Sequence, residues 1–528
     1  MKWEILNKLI INSEELIIKE LLKNRGLKTK KEIEDFLNPR DPKDIDILEL
    51  GIKKSGLQSV LKRIELAKKN KEKIVIYGDY DADGVCATAI LWEAMYKLGF
   101  NVMPFIPDRF EDGYGLKPKT VMRLKEKDND LKLIITVDNG IVAYDGIEKA
   151  KEMGIDVIVV DHHQAGKLIP SPYTLHSTFV CGSALAWFLS REIGVPDGLD
   201  LVSLGTIADQ MPLLGVNRSL VRFGLPKLSK TKRIGLQKMF QESKLDNIGV
   251  YDVGFMIAPR INAMGRLASA TDSLRFLCTR DPKKADDLNS ILNKTNIERQ
   301  KIVDEVLIKT LEKVSTDKII VISGDYHEGV IGLASGKITE KFYRPSIVLS
   351  ENGDVSKASA RSIAGFNIIE AIKETGFILE GGGHPMAAGF SIETSKISDF
   401  RIKINELAQK TLTQEILERN LKIDMEISFE QINTQLIDEL KKFEPVGQGN
   451  YSPVFTSTSV EIKEVKPVGV EGKHLKLKLL QNGIVIDAIW FNTQYKVQST
   501  KYIDVAYSIE ENVWNSKTTI QLKVKDLK

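Results

Sequence analysis

Three aspartates alternate along Val75-Ile76-Tyr77-Gly78-Asp79-Tyr80-Asp81-Ala82-Asp83-Gly84, directly after a short apolar run and before a helical one. Carboxylates at alternate positions of a turn repel one another unless a cation or a proton relieves them. The pattern recurs twice. Asp138 closes the next apolar run, in Thr136-Val137-Asp138-Asn139-Gly140, and Asp161-His162-His163 closes a third after Val159-Val160. A further acid, Asp209, lies in Gly205-Thr206-Ile207-Ala208-Asp209-Gln210-Met211-Pro212, an otherwise apolar helical stretch where a charge is costly unless it is paired or bound to a metal. Oxygen ligands with one or two imidazoles suit Mn²⁺ or Mg²⁺ better than a structural zinc, which favours thiolates. Two-metal hydrolysis is the chemistry these residues predict. Of the six histidines, His176 and His474 read as core or surface residues. The adjacent pair His162 and His163 differs, because neighbours at a strand end point in different directions.

Positioning such residues requires a sheet whose strands all end at one edge. Lys73–Tyr77, Leu131–Val137 and Ile155–Val160 read as short buried strands, alternating with helices at Val85–Leu98 and from Ile147. That alternation predicts a parallel, doubly wound α/β sheet, and open sheets of this kind bind ligands outside the carboxyl ends of their strands. A charged helical stretch from about Ala285 to Val314 connects to a second α/β pattern. There, strands at Lys318–Ile322 and Ser346–Leu349, a helix at Gly332–Phe342 and a glycine turn at Gly381-Gly382-Gly383 are predicted. After about Phe455 short alternating strands with a hairpin signal at Asn482-Gly483 read as a small β-barrel.

A chain of 528 residues accommodates two to four domains, and 42% hydrophobic with 28% charged residues is a globular composition. Three dispersed cysteines, Cys86, Cys181 and Cys278, support neither a disulfide framework nor a thiolate zinc site. The acidic start Met1-Lys2-Trp3-Glu4 and the lack of a bilayer-length apolar run predict a cytoplasmic protein with no membrane partner. Net charge is +3, from 75 basic and 72 acidic residues, yet Arg222 to Lys244 carries seven basic residues against Glu242 alone. Such a run suits a polyanion or a solvated face.

The Asp79–Asp83 segment, Val137–Gly140, Val160–His163 and Gly205–Leu213 resemble, in order, the four motifs of the DHH phosphoesterases. Ala258–Arg266, Ser359–Ser362 and Gly382–Gly389 resemble the associated second, DHHA1-type domain. The order is similar to that of the family's single-strand-specific 5′→3′ DNA exonucleases. The resemblance implies that Asp79, Asp81, Asp138, His162 and Asp209 hold two Mn²⁺ or Mg²⁺ ions bridged by Asp138. It implies too that Asp83 joins or orients that set and that His163 contacts the scissile phosphate. Ser359 and Arg361, with Arg266, would form the pocket for the 5′ phosphate, and Arg260, Asn262 and Ser362 would also bind substrate. Gly383 would allow close backbone approach to it, and His384 would help hold the substrate. Arg109 and Tyr114 match a loop that pairs with phosphate and stacks on a base. The basic row of His474-Leu475-Lys476-Leu477-Lys478-Leu479, with Trp490, Phe491 and Trp514, suits an OB-type surface for single strands.

The expected organisation is an N-terminal helical accessory segment (1–70), a DHH catalytic domain (71–280), a helical connector (281–316), a DHHA1-type domain (317–420), a linker (421–454) and an OB-like barrel (455–528). The expected reaction is hydrolysis of single-stranded DNA to 5′-mononucleotides by a monomer, working beside a repair or recombination helicase and a single-strand-binding protein. Two alternatives stay open: a DHH phosphodiesterase of short oligonucleotides and a catalytically silent DNA-binding scaffold. Relatives acting on small substrates carry a histidine four residues before the first motif aspartate, where this chain has Val75.

Overall fold

The computed structural model describes residues 1–7, 13–493, 502–514 and 517–528, excluding the side chains of 470, 513, 514 and 517. It divides into two compact units, Met1–Lys2 with Arg260–Ser269 and Asn289–Asn420, and Trp3–Pro259 with Ala270–Leu288 and Leu421–Lys528. Seventeen strands are described, beginning with β1 (Lys2–Asn7).

In the larger unit β2 (Lys73–Tyr77), β3 (Val102–Phe105), β4 (Leu131–Val137), β5 (Asp156–Asp161) and β6 (Tyr173–His176) form a parallel sheet in the order β3-β2-β4-β5-β6. Five of the seven β4 residues are apolar and buried, because helices cover both faces of a parallel sheet. Helix α1 (Ala82–Lys97) follows β2, and α2 (Gly182–Glu192) and α3 (Leu199–Ala208) pack against it. α1 is apolar nearly all round, which is the signature of a helix buried on every side.

The strand order decides where a ligand sits. From β2 the chain moves outward to β3, then returns to add β4 on the other flank, so β2 and β4 bound a topological switch point. Tyr77 and Thr136 are paired there, and Asp79 and Asp138 each follow their partner by two residues.

In the smaller unit β7 (Ile320–Gly324), β8 (Ser346–Ser350), β9 (Val355–Arg361), β10 (Ile378–His384) and β11 (Ala387–Glu393) form a mixed sheet in the order β10-β11-β9-β8-β7. Helix α5 (Glu328–Phe342) packs on β8 and β9, and α4 (Ala258–Leu267) also contributes residues to this unit. The glycines 381–383, expected to turn, instead continue β10, and the chain reverses at Pro385-Met386. A Cβ on Gly381 would lie 2.6 Å from the Phe390 Cβ, and one on Gly383 (φ +147°) 2.3 Å from the Ala387 carbonyl oxygen. Glycine is what lets these two strands lie together.

β12 (Asn420–Glu426), β13 (Phe455–Val468), β14 (His474–Gln481), β15 (Ile484–Trp490), β16 (Tyr502–Trp514) and β17 (Lys517–Leu527) build the third sheet with β1. An additional β13–β16 pairing closes β13 to β17 into a five-stranded barrel. Strands β13 and β16 run 14 and 13 residues, longer than the short strands expected, and β13 shifts register near Ser457–Val460 and Ile462–Glu464 to bend round the barrel. The segment 421–454, expected as a linker, supplies β12 and buries Phe429, Leu436 and Phe443 in the barrel's core. Ile17 and Leu21 of the N-terminal segment join the same core, so this segment is part of a packed layer. Among the described residues no helix is long and apolar enough to cross a membrane.

Candidate metal centre

Each acid of the predicted set is fixed by the backbone that carries it. Asp81 caps α1, its side chain accepting the Gly84 N–H at 2.9 Å. Gly84 lets the turn fold tightly, since a Cβ there would lie 2.6 Å from that of Asp79. Asp83, in the first turn of α1, accepts the N–H groups of Gly182 at 2.7 Å and Ser183 at 3.0 Å. It thereby ties the start of α2 to α1. Asp138 sits at φ +63°, a left-handed conformation that breaks β4 and is costly for a side chain without glycine's freedom. Asp209 caps the C-terminus of α3, where the helix dipole opposes a negative charge.

These residues converge. His162 Nε2 lies 3.0 Å from Asp138 Oδ1 and 3.7 Å from Asp209 Oδ2. Ligand atoms of Asp79, Asp81 and Asp138 fall within 4.8 Å of one another, as do those of Asp138, His162 and His163 and those of Asp83, His162 and Asp209. Asp138 belongs to two of these three sets and His162 to two.

The electrostatics fit a divalent cation. Burial, followed by the charges of Asp83, Asp81 and Asp79, holds the Asp138 carboxyl well above the usual carboxylate range. Asp79 is raised by burial and by Asp81, Asp81 by burial and by Asp83. Asp209 is pushed up to about 8 by burial, Asp83 and Asp81. Burial also lowers His162, keeping an imidazole lone pair available as a ligand. Asp79 Oδ1 and Asp138 Oδ1 are buried without a hydrogen-bond partner, the latter facing His162 Nε2 without hydrogen-bond geometry. Buried carboxylate oxygens are rarely left so, and the donor set of oxygens and imidazole fits Mn²⁺ or Mg²⁺.

The whole chain has counterparts of known activity. Residues 73–206 match the DHH family, N-terminal domain, residues 311–410 the DHHA1 domain and residues 423–526 the RecJ OB domain. The single-stranded-DNA-specific exonuclease RecJ of Bacillus subtilis is 34% identical over 100% of this chain and 70% of its own length. That of Haemophilus influenzae is 31% identical over 89% and 90%. This chain belongs to the RecJ family. The solved RecJ of Thermus thermophilus with Mn²⁺ superposes with a TM-score of 0.85 at 28% identity, covering 100% of this chain and 79% of that one. A RecJ bound to manganese matches at 34% identity and TM-score 0.59 over 68% and 95%.

Further groups surround the acid cluster. Asp161 accepts the Ile141 N–H at 2.9 Å through Oδ2 and the His163 N–H at 3.1 Å through Oδ1, which also lies 2.8 Å from His163 Nδ1. Burial alone would lower His163, but Asp161, Asp79 and Asp81 push it up to about 9. The Tyr114 hydroxyl stands 3.2 Å from His163 Nε2, and Arg109 stacks on Tyr80 at 4.9 Å. His176 Nε2 meets the His163 carbonyl oxygen at 2.7 Å, a buttressing role that its sequence surroundings did not signal. Asp161 was legible only as a strand end. Its adjacency to two histidines was the signal available.

The RecJ-like second unit gathers part of its predicted pocket. Arg361 Nη1 donates to Ser359 Oγ at 3.3 Å, and across the β9–β11–β10 register Arg361 and His384 flank Ala387. Burial, then the Arg361 charge, lowers His384. Gly332 of α5 leaves room here, since a Cβ would fall 2.9 Å from Ser359 Oγ. Gly383 is spent on strand pairing. Ser362 departs from expectation, because its buried hydroxyl donates to the Phe366 carbonyl at 2.7 Å and closes a loop. Arg266 donates to Gly329 O at 3.0 Å and Arg260 to Asn293 Oδ1 at 2.6 Å. Asn262 lies half-buried between them on α4.

The barrel alters one expectation. Leu475, Leu477 and Leu479 are buried as the alternation requires, but Lys478 pairs with Glu464 at 3.1 Å and Lys476 with Asp487 at 3.7 Å. Neighbouring strands neutralise the expected basic row. Phe491 is exposed and edge-on to His474, whereas the Trp514 side chain lies outside the described residues.

Proposed function

We propose that the chain is a divalent-metal-dependent exonuclease that digests single-stranded DNA 5′→3′ to 5′-mononucleotides. The single observation that carries this reading is the overlap of three acid and imidazole donor sets at the switch point of a RecJ-type sheet. Asp79, Asp81, Asp138, His162 and Asp209 would hold two Mn²⁺ or Mg²⁺ ions, with Asp138 shared. When bound, such ions acidify water and neutralise charge developing on a phosphodiester.

The chain's own groups would do the rest. Asp161 holds His163 protonated and aimed, so that His163 donates a charge-assisted hydrogen bond to a phosphate oxygen. The Tyr114 hydroxyl, 3.2 Å from both ring nitrogens, also holds that ring. Asp83, with both oxygens engaged by the start of α2, orients the cluster. Arg109 adds positive charge beside the acids. In the second unit Ser359, Arg361 and His384 would grip a terminal phosphate, giving the 5′ polarity. A monomer working beside a helicase and a single-strand-binding protein completes the proposal.

The test is release of mononucleotides from 5′-labelled and 3′-labelled single strands with Mn²⁺, against an EDTA control. The reading requires early release of the 5′ label and intact duplex. Degradation of only short oligonucleotides would favour the phosphodiesterase alternative, and tight binding without hydrolysis the silent scaffold.

A further inference from the structure

The acids of the metal centre are not anchored alike. Asp81 and Asp83 accept backbone N–H groups, and Asp138 packs against Gly182. Asp209 has no such anchor. Among the described residues its carboxylate accepts no hydrogen bond, and His162 Nε2 stands 3.7 Å away.

Asp209 lies where α3 ends, so the geometry of that helix end decides where its carboxylate points. The end is a Schellman turn, with the Met211 N–H donating to Thr206 O and the Gln210 N–H to Ile207 O, each at 3.1 Å. Such a turn needs a left-handed residue, usually glycine, and here Gln210 fills it at φ +56°. The Asp209 charge, at the negative end of the helix dipole, opposes the turn further. A strained end of this kind persists where the surrounding structure over-determines it.

The restraint comes from the layer that packs on the barrel. The Leu213 N–H donates to the Gln448 carbonyl at 2.7 Å. Gln448 and Gly449 form the tip of a turn closed by Gly447 and Asn450, whose backbones exchange hydrogen bonds at 2.8 and 3.1 Å. Two glycines let the tip lie on the loop after Asp209. A Cβ on Gly449 (φ +73°) would stand 2.9 Å from Pro212 Cβ, and one on Gly447 2.8 Å from Leu213 Cδ1. The turn is itself rigidly held, since buried Asn450 donates to the Phe443 and Pro445 carbonyls at 2.8 and 2.9 Å and accepts from Arg25 Nε at 3.1 Å. Arg218, buried in the helix Gly215–Ser229 that follows the loop, donates to the carbonyls of Lys442, Phe443, Glu444 and Pro445 at 2.8 to 3.3 Å. The loop is therefore gripped at Leu213 and again at Arg218 by one segment, 442–450.

We propose that the turn Gly447–Asn450 is a positioning element for Asp209. It clamps Pro212–Leu214, keeps Gln210 left-handed and so holds the Asp209 carboxylate beside His162. The C-terminal layer thereby takes part in metal binding without supplying a ligand. This role rests on the metal centre proposed above. The competing account is packing alone, in which the turn stabilises the chain without acting on any one ligand.

The experiment is Mn²⁺ binding to the full chain, read from the free ion's electron paramagnetic resonance signal, in a double-mutant cycle of Gly449→Ala with Asp209→Asn. Asp79, Asp81 and Asp138 still offer a donor set in the Asp209→Asn chain. Gly449→Ala drives a Cβ onto Pro212 and should weaken Mn²⁺ binding about tenfold in the parent background, the scale of losing a group that orients a ligand. In the Asp209→Asn background the same substitution should change the affinity less than about twofold. Equal losses in both backgrounds, or no loss in either, would overturn the proposal. If Gly449→Ala does not fold, Gly447→Ala, which meets the movable end of Leu213, replaces it under the same criteria. A parent chain that binds no Mn²⁺ would overturn the metal centre and this role with it, whereas equal losses in a parent that does bind overturn this role alone.

Discussion

Gly182 packs directly on the Asp138 side chain: a Cβ on Gly182 would stand 2.5 Å from Oδ1 of Asp138, inside any van der Waals limit. Asp138 is held at φ +63° directly against the first turn of α2, and Asp83 grips that turn from the other side. The central carboxylate of the metal centre is thus positioned by the absence of a side chain on another element.

Gly182→Ala should therefore displace the Asp138 carboxylate without removing it. We expect about 1–3 kcal/mol of lost stability from overpacking and a metal affinity weakened roughly 10- to 100-fold. Titrating the rate with Mn²⁺ checks this. An unchanged midpoint would show that the contact is tolerated.

The stability of the metal-free chain should fall as pH rises. An unfolded aspartate loses its proton near 3.9, whereas Asp209 holds its proton up to about 8 and Asp138 is raised in the same direction. The folded state therefore binds more protons between about pH 4 and pH 8, and its stability declines across that window. Mn²⁺ replaces those protons, so the rise in melting temperature that it produces should be larger at about pH 8 than at about pH 5. Equal rises at both would contradict the acid cluster's role.

Asp161→Asn should separate orientation from metal binding. The amide presents an N–H₂ group to one of the three donors that Asp161 now accepts from or faces, so His163 loses its aim. We expect turnover to drop roughly 10- to 100-fold with the Mn²⁺ midpoint little changed. A parallel loss of metal affinity would place Asp161 among the ligands.

Ser362→Ala and Arg361→Ala should differ in kind. Ser362 closes a loop through Phe366, so its removal costs about 1 kcal/mol of stability and leaves KM for single strands unchanged. Arg361, beside Ser359 and His384, should raise KM when removed, more for 5′-phosphorylated than for 5′-hydroxyl ends. Measured KM values on both ends decide between a pocket and a merely structural arginine.

Much of this was legible in the sequence where burial is uniform. β2 and β4 were readable to the residue because both faces of a parallel strand are covered, so the apolar run ends where the strand ends. Asp79, Asp138 and His162 stood out because charge at such ends needs a partner. Features that depend on what lies across a strand or against a helix were not readable. The glycines 381–383 carry the signal of a turn, yet they serve a tight antiparallel pair. Phe429 and Phe443 are spaced among charges like a linker's residues, and only the barrel explains them. Lys476 and Lys478 meet Asp487 and Glu464 through a cross-strand register absent from their own strand. Asp161 is an orienting group only because its side chain turns toward His163.

The central claim is most directly tested by Mn²⁺-dependent nucleotide release from 5′-labelled single-stranded DNA by the Asp138→Asn chain beside the parent. The account predicts a fall of at least about a thousandfold, the scale of losing a group that acts in the transition state, with single-strand affinity within about threefold of the parent's. Turnover close to the parent's would contradict it.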